Sequence, residues 1–357
     1  MRIFDEIYII AEAGVNHNGS FQEALNLVDI AVQSGANAIK FQTFEAEKLS
    51  SNNTRKAGYQ LNNSTKNETQ YEMLKKLELS RENFVAIKNY CEDFNIDFIS
   101  TPFDLDSLSF LDDLGMKFIK IPSGEINNLD LLCNAAKLNK TIFLSTGMAE
   151  IKEIDNALAT ILYAKTYKSR PNSLNAIEEL YTDFSELNGE VVLMQCTSSY
   201  PCPDDFVNIS VLNEFKEKYK IQVGFSDHSL GFSAAVLSVA LGAKVIEKHF
   251  TSDREQEGPD HHSSLNPKEL TEFVSLVRAS EKQIGEPSKV CTTIEKDNKK
   301  VVRKKIVSIA SIKPGDIFSR DNISLIRSEE GMDAEFFWDY LGKVCTKNYK
   351  IGEVIDG

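Results

Sequence analysis

The sequence predicts an α/β protein built as a (β/α)8 barrel, followed by a small β-rich domain. The first observation is that short β-rich segments alternate with longer amphipathic ones, as in IYIIAEAG followed by FQEALNLVDIAVQSGA. Such alternation predicts a parallel sheet. The second is that eight strand-like segments occur before residue 285, a number that favours a closed barrel over an open sheet. The third is that the composition changes after Gly285.

The predicted strands are rich in β-branched and aromatic residues and are bounded by turn-forming residues. In chain order they are IYIIAEAG, AIKFQTF, DFISTPF, FIKIPSG, TIFLSTG, VVLMQC, VGFSDH and VIEKHF. Helix-like segments such as RENFVAIKNYCEDF and EIDNALATILYAK separate them. The crossover before VVLMQC, residues 165–190, is longer than one helix requires, so we interpret it as an insertion at the rim of the barrel.

The chain is predicted to divide into three parts. Residues 1–284 form the barrel, which we expect to be the catalytic domain. Residues 285–302 are polar and charged without apolar periodicity, as is typical of a linker. Residues 303–357 contain short strand-like segments and a Pro-Gly turn, and so predict a small β-rich module with a thin core.

Composition excludes several classes of protein. The 357 residues are 42% hydrophobic and 26% charged, as in globular proteins. The net charge of −13 and the pI near 5.0 argue against nucleic acid or anionic membranes as partners. No apolar run resembles a signal peptide or approaches the roughly 20 residues of a membrane span. The six cysteines include no C-x-x-C pair, so we expect free thiols and a cytoplasmic protein.

Polar residues lie at or just past the C-terminal end of every predicted strand. In a barrel these ends converge on the face where catalysis occurs. A functional site is therefore predicted there. The residues are Glu12, Lys40, Gln42, Thr101, Lys120, Ser123, Glu125, Ser145, Thr146, Thr197, Ser198, Asp227, His228, Glu247, Lys248 and His249.

Two of these residues, His228 and His249, end consecutive strands. A single histidine in such a place is more often a structural residue than a ligand. Two neutral imidazoles that leave coordination positions for water and substrate are typical of a catalytic divalent metal site. We therefore predict a loosely held metal there. The other histidines, His17, His261 and His262, are predicted to lie on loops near the rim.

Two lysines, Lys40 and Lys120, fall inside the predicted barrel. An exposed strand could carry lysines without a function, but an unpaired ammonium in a barrel interior is costly. An anion would balance the charge. The segments PSGE and STGM, which follow two of the strands, contain small residues that let backbone N–H groups approach a phosphate. The pattern predicts a phosphate site.

Several stretches, in this order, resemble the N-acetylneuraminate (sialic acid) synthase family, which includes legionaminic and pseudaminic acid synthases. They are IIAEAGVNHNGS, GANAIKFQTF, STPFD, KIPSGEINN, LSTGMAE, CTSSYP, GFSDHSLG, VALGAKVIEKHFT and EGPDHHSSLNPKEL. The tail KPGDIFSRDNISLIR…LGK resembles the antifreeze-like (SAF) domain of those enzymes. The resemblance covers nearly the whole chain.

The resemblance implies that phosphoenolpyruvate condenses with an open-chain N-acetylated mannose-type sugar and water, giving a nine-carbon 2-keto acid and phosphate. It also implies a Mn or Mg ion and a domain-swapped homodimer. His228 and His249 would be the metal ligands and act in catalysis with Glu12, Lys40 and Lys120. Further substrate-binding positions would be Gln42, Thr101, Ser123, Glu125, Ser145, Ser198, Tyr200, Ser226 and Asp260, with Arg327 from the partner's tail.

Three features depart from the family pattern. Ser198 stands where well-known sialic acid synthases have Asn, which changes one phosphate contact. SEEG follows Arg327 where the family commonly has Pro-Gly, and the 165–190 insertion is not typical.

Alternatives remain for the acceptor and for the activity. The motifs favour N-acetylmannosamine as acceptor, with 2,4-diacetamido-2,4,6-trideoxymannose as the alternative, and the segment KAGYQLNNSTKNETQYEMLKKLELS resembles the rim loop that would discriminate between them. A metal-dependent pyruvate aldolase would not need the phosphate loops. A non-catalytic barrel would not need polar residues at every strand end.

Overall fold

The computed structural model describes residues 4, 6–58, 68–178 and 183–356, and the chain divides into two units, Met1–Gly285 and Glu286–Gly357. The first unit is built on eight strands. They are β1 (Tyr8–Gly14), β2 (Ala38–Thr43), β3 (Asp97–Pro102), β4 (Phe118–Ile121), β5 (Thr141–Ser145), β6 (Val191–Gln195), β7 (Gln222–Asp227) and β8 (Val245–His249).

These strands form one sheet in the order β3-β2-β1-β8-β7-β6-β5-β4, and each hydrogen-bonded pair is parallel. The end strands β3 and β4 pack side by side. The sheet is therefore a nearly closed barrel, and the predicted fold class is confirmed. Seven of the eight strands lie within a segment that the sequence predicts to be a strand, and β7 begins one residue before its predicted segment, at Gln222.

Helices follow the strands and cover the barrel. Their first turns are capped where the sequence supplies Ser, Thr or Asn: the Oγ of Ser20 accepts from the Glu23 N–H, and Thr69 and Asn266 form capping boxes. Among the described residues, the helices of this unit are Phe21–Ser34, Ala46–Leu49, Gln70–Leu77, Arg81–Asp93, Leu105–Asp113, Leu129–Lys137, Ile151–Tyr167, Asn175–Glu178, Val211–Tyr219, Ser233–Ala240 and Pro267–Ile284.

The inward face of several strands carries an aromatic residue near the N-terminal end and a polar residue near the C-terminal end. Tyr8 precedes Glu12 on β1, Phe118 precedes Lys120 on β4, and Phe143 precedes Ser145 on β5; each pair shares a face because side chains alternate with period two. The rings of Tyr8 and Phe118 lie 5.2 Å apart, and those of Phe118 and Phe143 5.0 Å apart. The aromatic layer fills the bottom of the barrel, so polar groups face a cavity only at the top.

The long crossover before β6 is partly built into the barrel's core. Helix Ile151–Tyr167 is followed by the short helix Asn175–Glu178. Ile177, Phe184 and Leu187 are buried in the main hydrophobic cluster. Residues 179–182 of the predicted insertion lie outside the described residues.

The second unit contains β9 (Lys304–Ser308) and β10 (Ile323–Arg327), paired antiparallel, and the helix Phe337–Tyr340. Its small core includes Ile306, Ile312, Phe318, Ile323, Phe337, Cys345, Tyr349 and Ile355. The segment predicted as a linker contains a helix, Glu295–Val302, none of whose residues is buried. Because that helix buries no apolar face, its sequence carries no periodic signal. No helix in the described ranges is long and apolar enough to cross a membrane.

Candidate active site

A cavity of about 700 Å³ lies at the C-terminal ends of the barrel strands. The structure brings together there every barrel residue to which the family resemblance gave a role, whereas Thr146 and Thr197 of the predicted strand-end group do not line the cavity. Arg327 belongs to the second unit, where it is an exposed residue at the end of β10. The predicted residues that line the cavity are Glu12, Lys40, Gln42, Thr101, Lys120, Ser123, Glu125, Ser145, Ser198, Tyr200, Ser226, His228, His249 and Asp260.

The end of β8 explains why VIEKHF carries three consecutive polar residues. Side chains alternate along a strand, so Glu247 and His249 line the cavity. Lys248 belongs to the other face, where its Nζ lies 2.9 Å from Oδ2 of Asp227. Lys248 and Asp227, predicted among the strand-end group, therefore do not line the cavity.

Two lysines and two glutamates form a buried charge cluster at the base of the cavity. Lys40 Nζ lies 2.7 Å from Glu12 Oε2 and 3.8 Å from Glu247 Oε2. Lys120 Nζ lies 3.6 Å from Glu247 Oε1. These side chains are at most 5% exposed. Glu247 was predicted only as a member of the strand-end group, without a role of its own; it also lines the cavity, and its period-two relation to His249 was the available signal.

Burial and pairing set the charges of this cluster. Desolvation raises the pKa of Glu12 to about 8, although Lys40 partly opposes it. Burial alone would raise the pKa of Glu247, but Lys120 and Lys40 outweigh burial and lower it to about 2. The lysines thus favour the ionised form of Glu247, and of the two carboxyls Glu12 is the one that holds a proton more readily.

Burial and pairing with carboxylates also act on the two lysines, but they shift the pKa of Lys40 and the pKa of Lys120 in opposite directions. Burial would lower the pKa of Lys40, but Glu12 and Glu247 raise it above its ordinary value. Burial lowers the pKa of Lys120, because the pairing with Glu247 only partly offsets it. Lys40 also donates to Thr101 Oγ1 at 3.1 Å. Lys120 is therefore the ammonium that gains more from an added anion.

Hydroxyl groups and a backbone N–H converge beside Lys120. Its Nζ donates to Ser145 Oγ. The N–H of Gly147 donates to Ser123 Oγ at 3.0 Å, and Ser123 Oγ lies 3.0 Å from Cys196 Sγ. A Cβ at position 147 would collide with the Oγ atoms of Ser123 and Ser198, so only glycine fits without displacing them. An ammonium with several small donors is a suitable site for a phosphate or carboxylate.

The two predicted histidines lie together, with ring centroids 5.6 Å apart. His228 Nδ1 donates to the carbonyl of Thr197 at 2.7 Å. Its Nε2 lies 3.4 Å from Ser226 Oγ, but that hydroxyl donates to Glu247 Oε1, so the Nε2 lone pair is available. The ring of Tyr200 lies 4.2 Å from that of His228. In the described part of the chain, Nδ1 of His249 has no hydrogen-bond partner although it is buried. Desolvation lowers the pKa of both histidines, so both rings are neutral.

This donor set fits a weakly held divalent metal. Neutral imidazoles with free lone pairs are metal ligands, and the buried Nδ1 of His249 lacks any other partner. No group of three or more His, Cys, Asp or Glu side chains among the described residues is arranged to hold a metal. Substrate and water would have to complete the coordination.

Of the remaining histidines, His17 lies on a loop, as predicted, whereas His261 and His262 lie in the short 3-10 helix His261–Ser263; none of the three lines the cavity. His261 Nδ1 shares a 2.7 Å hydrogen bond with Thr251 Oγ1. His17 Nδ1 accepts from the Gly19 N–H at 3.0 Å. His262 is exposed. The first two are buried residues bonded to their own loops.

One side of the cavity is apolar, which the sequence did not predict. It is formed by helix Gln70–Leu77 and neighbouring loops, within the segment predicted as a rim loop; residues 59–67 of that segment lie outside the described residues. The amphipathic period of QYEMLKKL was the available signal. We call this surface the apolar wall. Its residues are Val15, Leu49, Met73, Leu74, Leu77 and Phe103.

Fold and cavity together define a (β/α)8 barrel whose cavity places two lysines and several hydroxyl groups beside a pair of neutral imidazoles, as in an enzyme of this fold. The chain belongs to the NeuB family, whose sequence profile matches residues 27–289.

Two relatives of known name are similar over nearly their whole lengths. The chain is 42% identical to the N,N'-diacetyllegionaminic acid synthase of Campylobacter jejuni over 97% of this chain and 98% of that protein. It is 30% identical to the human N-acetylneuraminate-9-phosphate synthase over 94% and 88%. A crystal structure of N-acetylneuraminic acid (sialic acid) synthetase from Leptospira borgpetersenii, in complex with citrate, superposes with a TM-score of 0.67 at 32% identity, covering 82% and 90%.

Proposed function

We propose that the protein is a nonulosonic acid synthase that condenses phosphoenolpyruvate with an open-chain N-acylated mannose-type sugar and water. C3 of phosphoenolpyruvate forms a bond to the aldehyde carbon, water adds at C2, and phosphate leaves by C–O cleavage. The observation that carries this proposal is the buried pair Lys40 and Lys120 beside a cluster of small donors, in a cavity that also holds two imidazoles.

Charge balance supports a polyanionic substrate. Burial raises the pKa of Glu12, and whenever Glu12 takes up a proton the two lysines face only the single charge of Glu247. A phosphate and a carboxylate would compensate the second positive charge. We assign phosphoenolpyruvate to Lys40, Lys120, Ser123, Ser145 and Ser198. The N–H of Gly147 donates to Ser123 Oγ and so holds that hydroxyl in place within this group.

Glu12 is our candidate for proton transfer at the reacting centre. Its pKa near 8 allows it to hold or release a proton at neutral pH, which general acid–base catalysis requires. The carboxyl stays within 2.7 Å of Lys40, which fixes its position. The rest of the cavity would bind and orient the sugar. We assign that role to Gln42, Thr101, Glu125, Tyr200, Ser226 and Asp260.

His228 and His249 would hold a Mn or Mg ion. When bound, that ion would act as a Lewis acid toward the sugar aldehyde. The Thr197 carbonyl keeps His228 in the tautomer that presents Nε2 as a ligand.

For the acceptor, the apolar wall favours 2,4-diacetamido-2,4,6-trideoxymannose over N-acetylmannosamine. A sugar hydroxyl against Met73, Leu74 or Leu77 would lose its hydrogen bonds to water, whereas a deoxy carbon or an acetamido methyl would not. The 42% identity to a diacetyllegionaminic acid synthase favours the same acceptor. N-acetylmannosamine, which the sequence motifs favoured, remains the second candidate.

We further propose that residues 303–357 form an antifreeze-like (SAF) domain and that two chains form a domain-swapped homodimer. Arg327 would then contact the sugar's N-acyl group in the partner's barrel. Its exposed position at the end of β10 leaves the guanidinium accessible. We place the enzyme in the cytoplasm, where its six free cysteines would stay reduced.

The test is phosphate release from phosphoenolpyruvate in the presence of Mn²⁺, with each acceptor in parallel. Release that requires one of the two sugars supports the synthase and identifies its acceptor. Release with neither sugar would contradict the proposal. The protein would then be better explained as a pyruvate aldolase or as a non-catalytic barrel. Cleavage of a nine-carbon 2-keto acid to pyruvate, without phosphate chemistry, would identify the aldolase.

A further inference from the structure

A second buried ion pair lies on the opposite face of the same two strands. Asp227 and Lys248 are direct partners in the β7–β8 register, and their charged atoms lie 2.9 Å apart. The side chains are 0% and 1% exposed. Each is adjacent in sequence to a proposed metal ligand, since Asp227 precedes His228 and Lys248 precedes His249.

Stability does not account for this pair. Moving a carboxylate and an ammonium out of water costs several kcal/mol per ion even after relaxation, and apolar replacements of such pairs are often neutral or stabilising. What a buried pair does supply is a single permitted arrangement, because neither charge can be left without its partner.

The Asp227–Lys248 pair fixes the backbone next to His228 through its contacts with Ser229. Asp227 Oδ1 accepts from both the N–H and the Oγ of Ser229, at 2.9 and 2.7 Å. Lys248 Nζ donates to the carbonyl of Ser229. The backbone on the C-terminal side of His228 is therefore held by one residue of β7 and one of β8.

His228 is held at two further points. Its carbonyl accepts from the Cys202 N–H at 2.7 Å, and its Nδ1 donates to Thr197. The backbone of His228 cannot shift without straining the contacts of the Asp227–Lys248 pair to Ser229, and the bond to Thr197 fixes the ring on that backbone. On β8, the carbonyl of His249 accepts from the Leu265 N–H at 2.9 Å, while Nδ1 has no partner in the described residues. The position of the His249 ring depends on the strand that Lys248 anchors.

We propose that Asp227 and Lys248 are positioning residues that set the spacing of His228 and His249 for a shared divalent metal. They touch neither substrate nor metal. They act by locking the ends of β7 and β8 in one register, with Ser229 as the link. The proposal rests on the proposed metal site, but its effect on the two rings is measurable without metal.

The variants are Lys248→Met and the double variant Asp227→Asn/Lys248→Met, with Lys216→Met as matched control. Lys216 also donates to the backbone carbonyl of a loop beside these strands, that of Leu241 at 2.6 Å. It lies at the other end of the strands, beside Gln222 and Lys244, away from the cavity. It therefore reports the loss of a lysine–carbonyl bond without any effect on the two imidazoles.

The first measurement uses the metal-free protein. The chain has five histidines, so ¹⁵N-histidine labelling gives a small set of imidazole signals. We expect Lys248→Met to move the His228 and His249 signals and leave His262 unchanged, while Lys216→Met moves neither. Unmoved His228 and His249 signals in Lys248→Met would overturn the inference, whether or not the wild type binds metal.

The second measurement is Mn²⁺ affinity from the electron paramagnetic resonance of free Mn²⁺. Loss of an outer residue that orients metal ligands lowers affinity about 10- to 100-fold. We expect that loss in both Lys248 variants, even though the double variant, which has no unpaired charge, regains thermal stability. If the double variant is folded and binds Mn²⁺ as the wild type does, the pair is structural and the inference is wrong. Absence of phosphate release from the wild type would instead count against the proposed function.

Discussion

The Nζ atom of Lys40 lies 2.7 Å from Oε2 of Glu12, and the two side chains are 4% and 2% exposed. The pair sits at the base of the cavity with a second glutamate, Glu247, 3.8 Å away. Lys40 therefore keeps a partner if Glu12 loses its charge. This makes the role of Glu12 testable without leaving an uncompensated ammonium inside the barrel.

We predict that Glu12→Gln lowers kcat on the order of 10²- to 10⁴-fold, the usual contribution of a general acid or base. The amide can still accept a hydrogen bond from Lys40, so folding and phosphoenolpyruvate binding should persist. Steady-state kinetics and calorimetric binding of phosphoenolpyruvate measure the two effects separately. An unchanged kcat would remove Glu12 from the chemistry, and lost binding with normal kcat would make it a binding residue.

His249→Ala should abolish metal-dependent turnover while the protein stays folded. Outer residues around metal ligands contribute about 10- to 100-fold in affinity, so loss of a ligand should cost at least as much. The exposed His262 provides the control His262→Ala, for which we expect wild-type kinetics. Turnover and Mn²⁺ titration are the measurements. Full rate of His249→Ala in saturating Mn²⁺ would show that the metal assignment is wrong.

Gly147→Ala should weaken phosphoenolpyruvate binding. The added Cβ would lie 2.8 Å from Ser123 Oγ and 3.0 Å from Cys196 Sγ, and would also meet Ser198 Oγ. Overpacking of this kind costs about 1–3 kcal/mol, and each 1.4 kcal/mol is about tenfold in affinity.

Gly124→Ala is the matched control, because Gly124 also lines the cavity but a Cβ there has no neighbour within 4 Å. We expect its KM for phosphoenolpyruvate to equal that of the wild type. Calorimetry with phosphoenolpyruvate compares the two variants directly. Equal affinities would mean that the hydroxyl cluster around Gly147 does not bind the anion.

Asp260 is expected to make the folded protein less stable as the pH rises, because burial raises the pKa of its carboxyl group. Burial raises its pKa to about 6, and Lys40 only partly offsets this; the unfolded value is about 3.9. The folded state thus binds the proton more tightly, so this contribution is complete below about pH 4 and is lost as the pH rises through 6.

Asp260→Asn removes that contribution. We expect the free energy of unfolding of the variant, relative to wild type, to increase by about 3 kcal/mol between about pH 4 and about pH 7. Urea unfolding at a series of pH values measures the difference, in which other titrating groups cancel. A difference that does not change with pH would show that Asp260 titrates normally in the folded protein.

Arg327→Ala should raise the KM for the sugar and leave that for phosphoenolpyruvate unchanged. A hydrogen bond to a charged group contributes about 1.5–3 kcal/mol, which corresponds to roughly 10- to 100-fold. Arg320→Ala is the control in the same unit, where the guanidinium lies 5.6 Å from the ring of Phe337. Equal increases in both Michaelis constants for Arg327→Ala would exclude the specific contact with the sugar.

The strands and the identity of the barrel were predictable because the signal is local. Alternating strand-like and amphipathic segments specify a parallel sheet, and polar groups at the strand ends specify which end carries the site. His228, His249, Lys40 and Lys120 all emerged in this way and all line one cavity. Helix Glu295–Val302 did not, because an exposed helix has no apolar period to detect.

By itself the sequence determined the fold class, the functional end of the barrel and the side chains that meet there, since each follows from periods of two and 3.6 residues along the chain. Tertiary structure decided which of three adjacent polar residues serve the cavity: Glu247 and His249 face it, while Lys248 pairs with Asp227 behind it. It also decided that the pKa of Glu12 is raised while the pKa of Glu247 is lowered. The physical reason is that pairing and desolvation depend on distances between strands, which no single segment encodes.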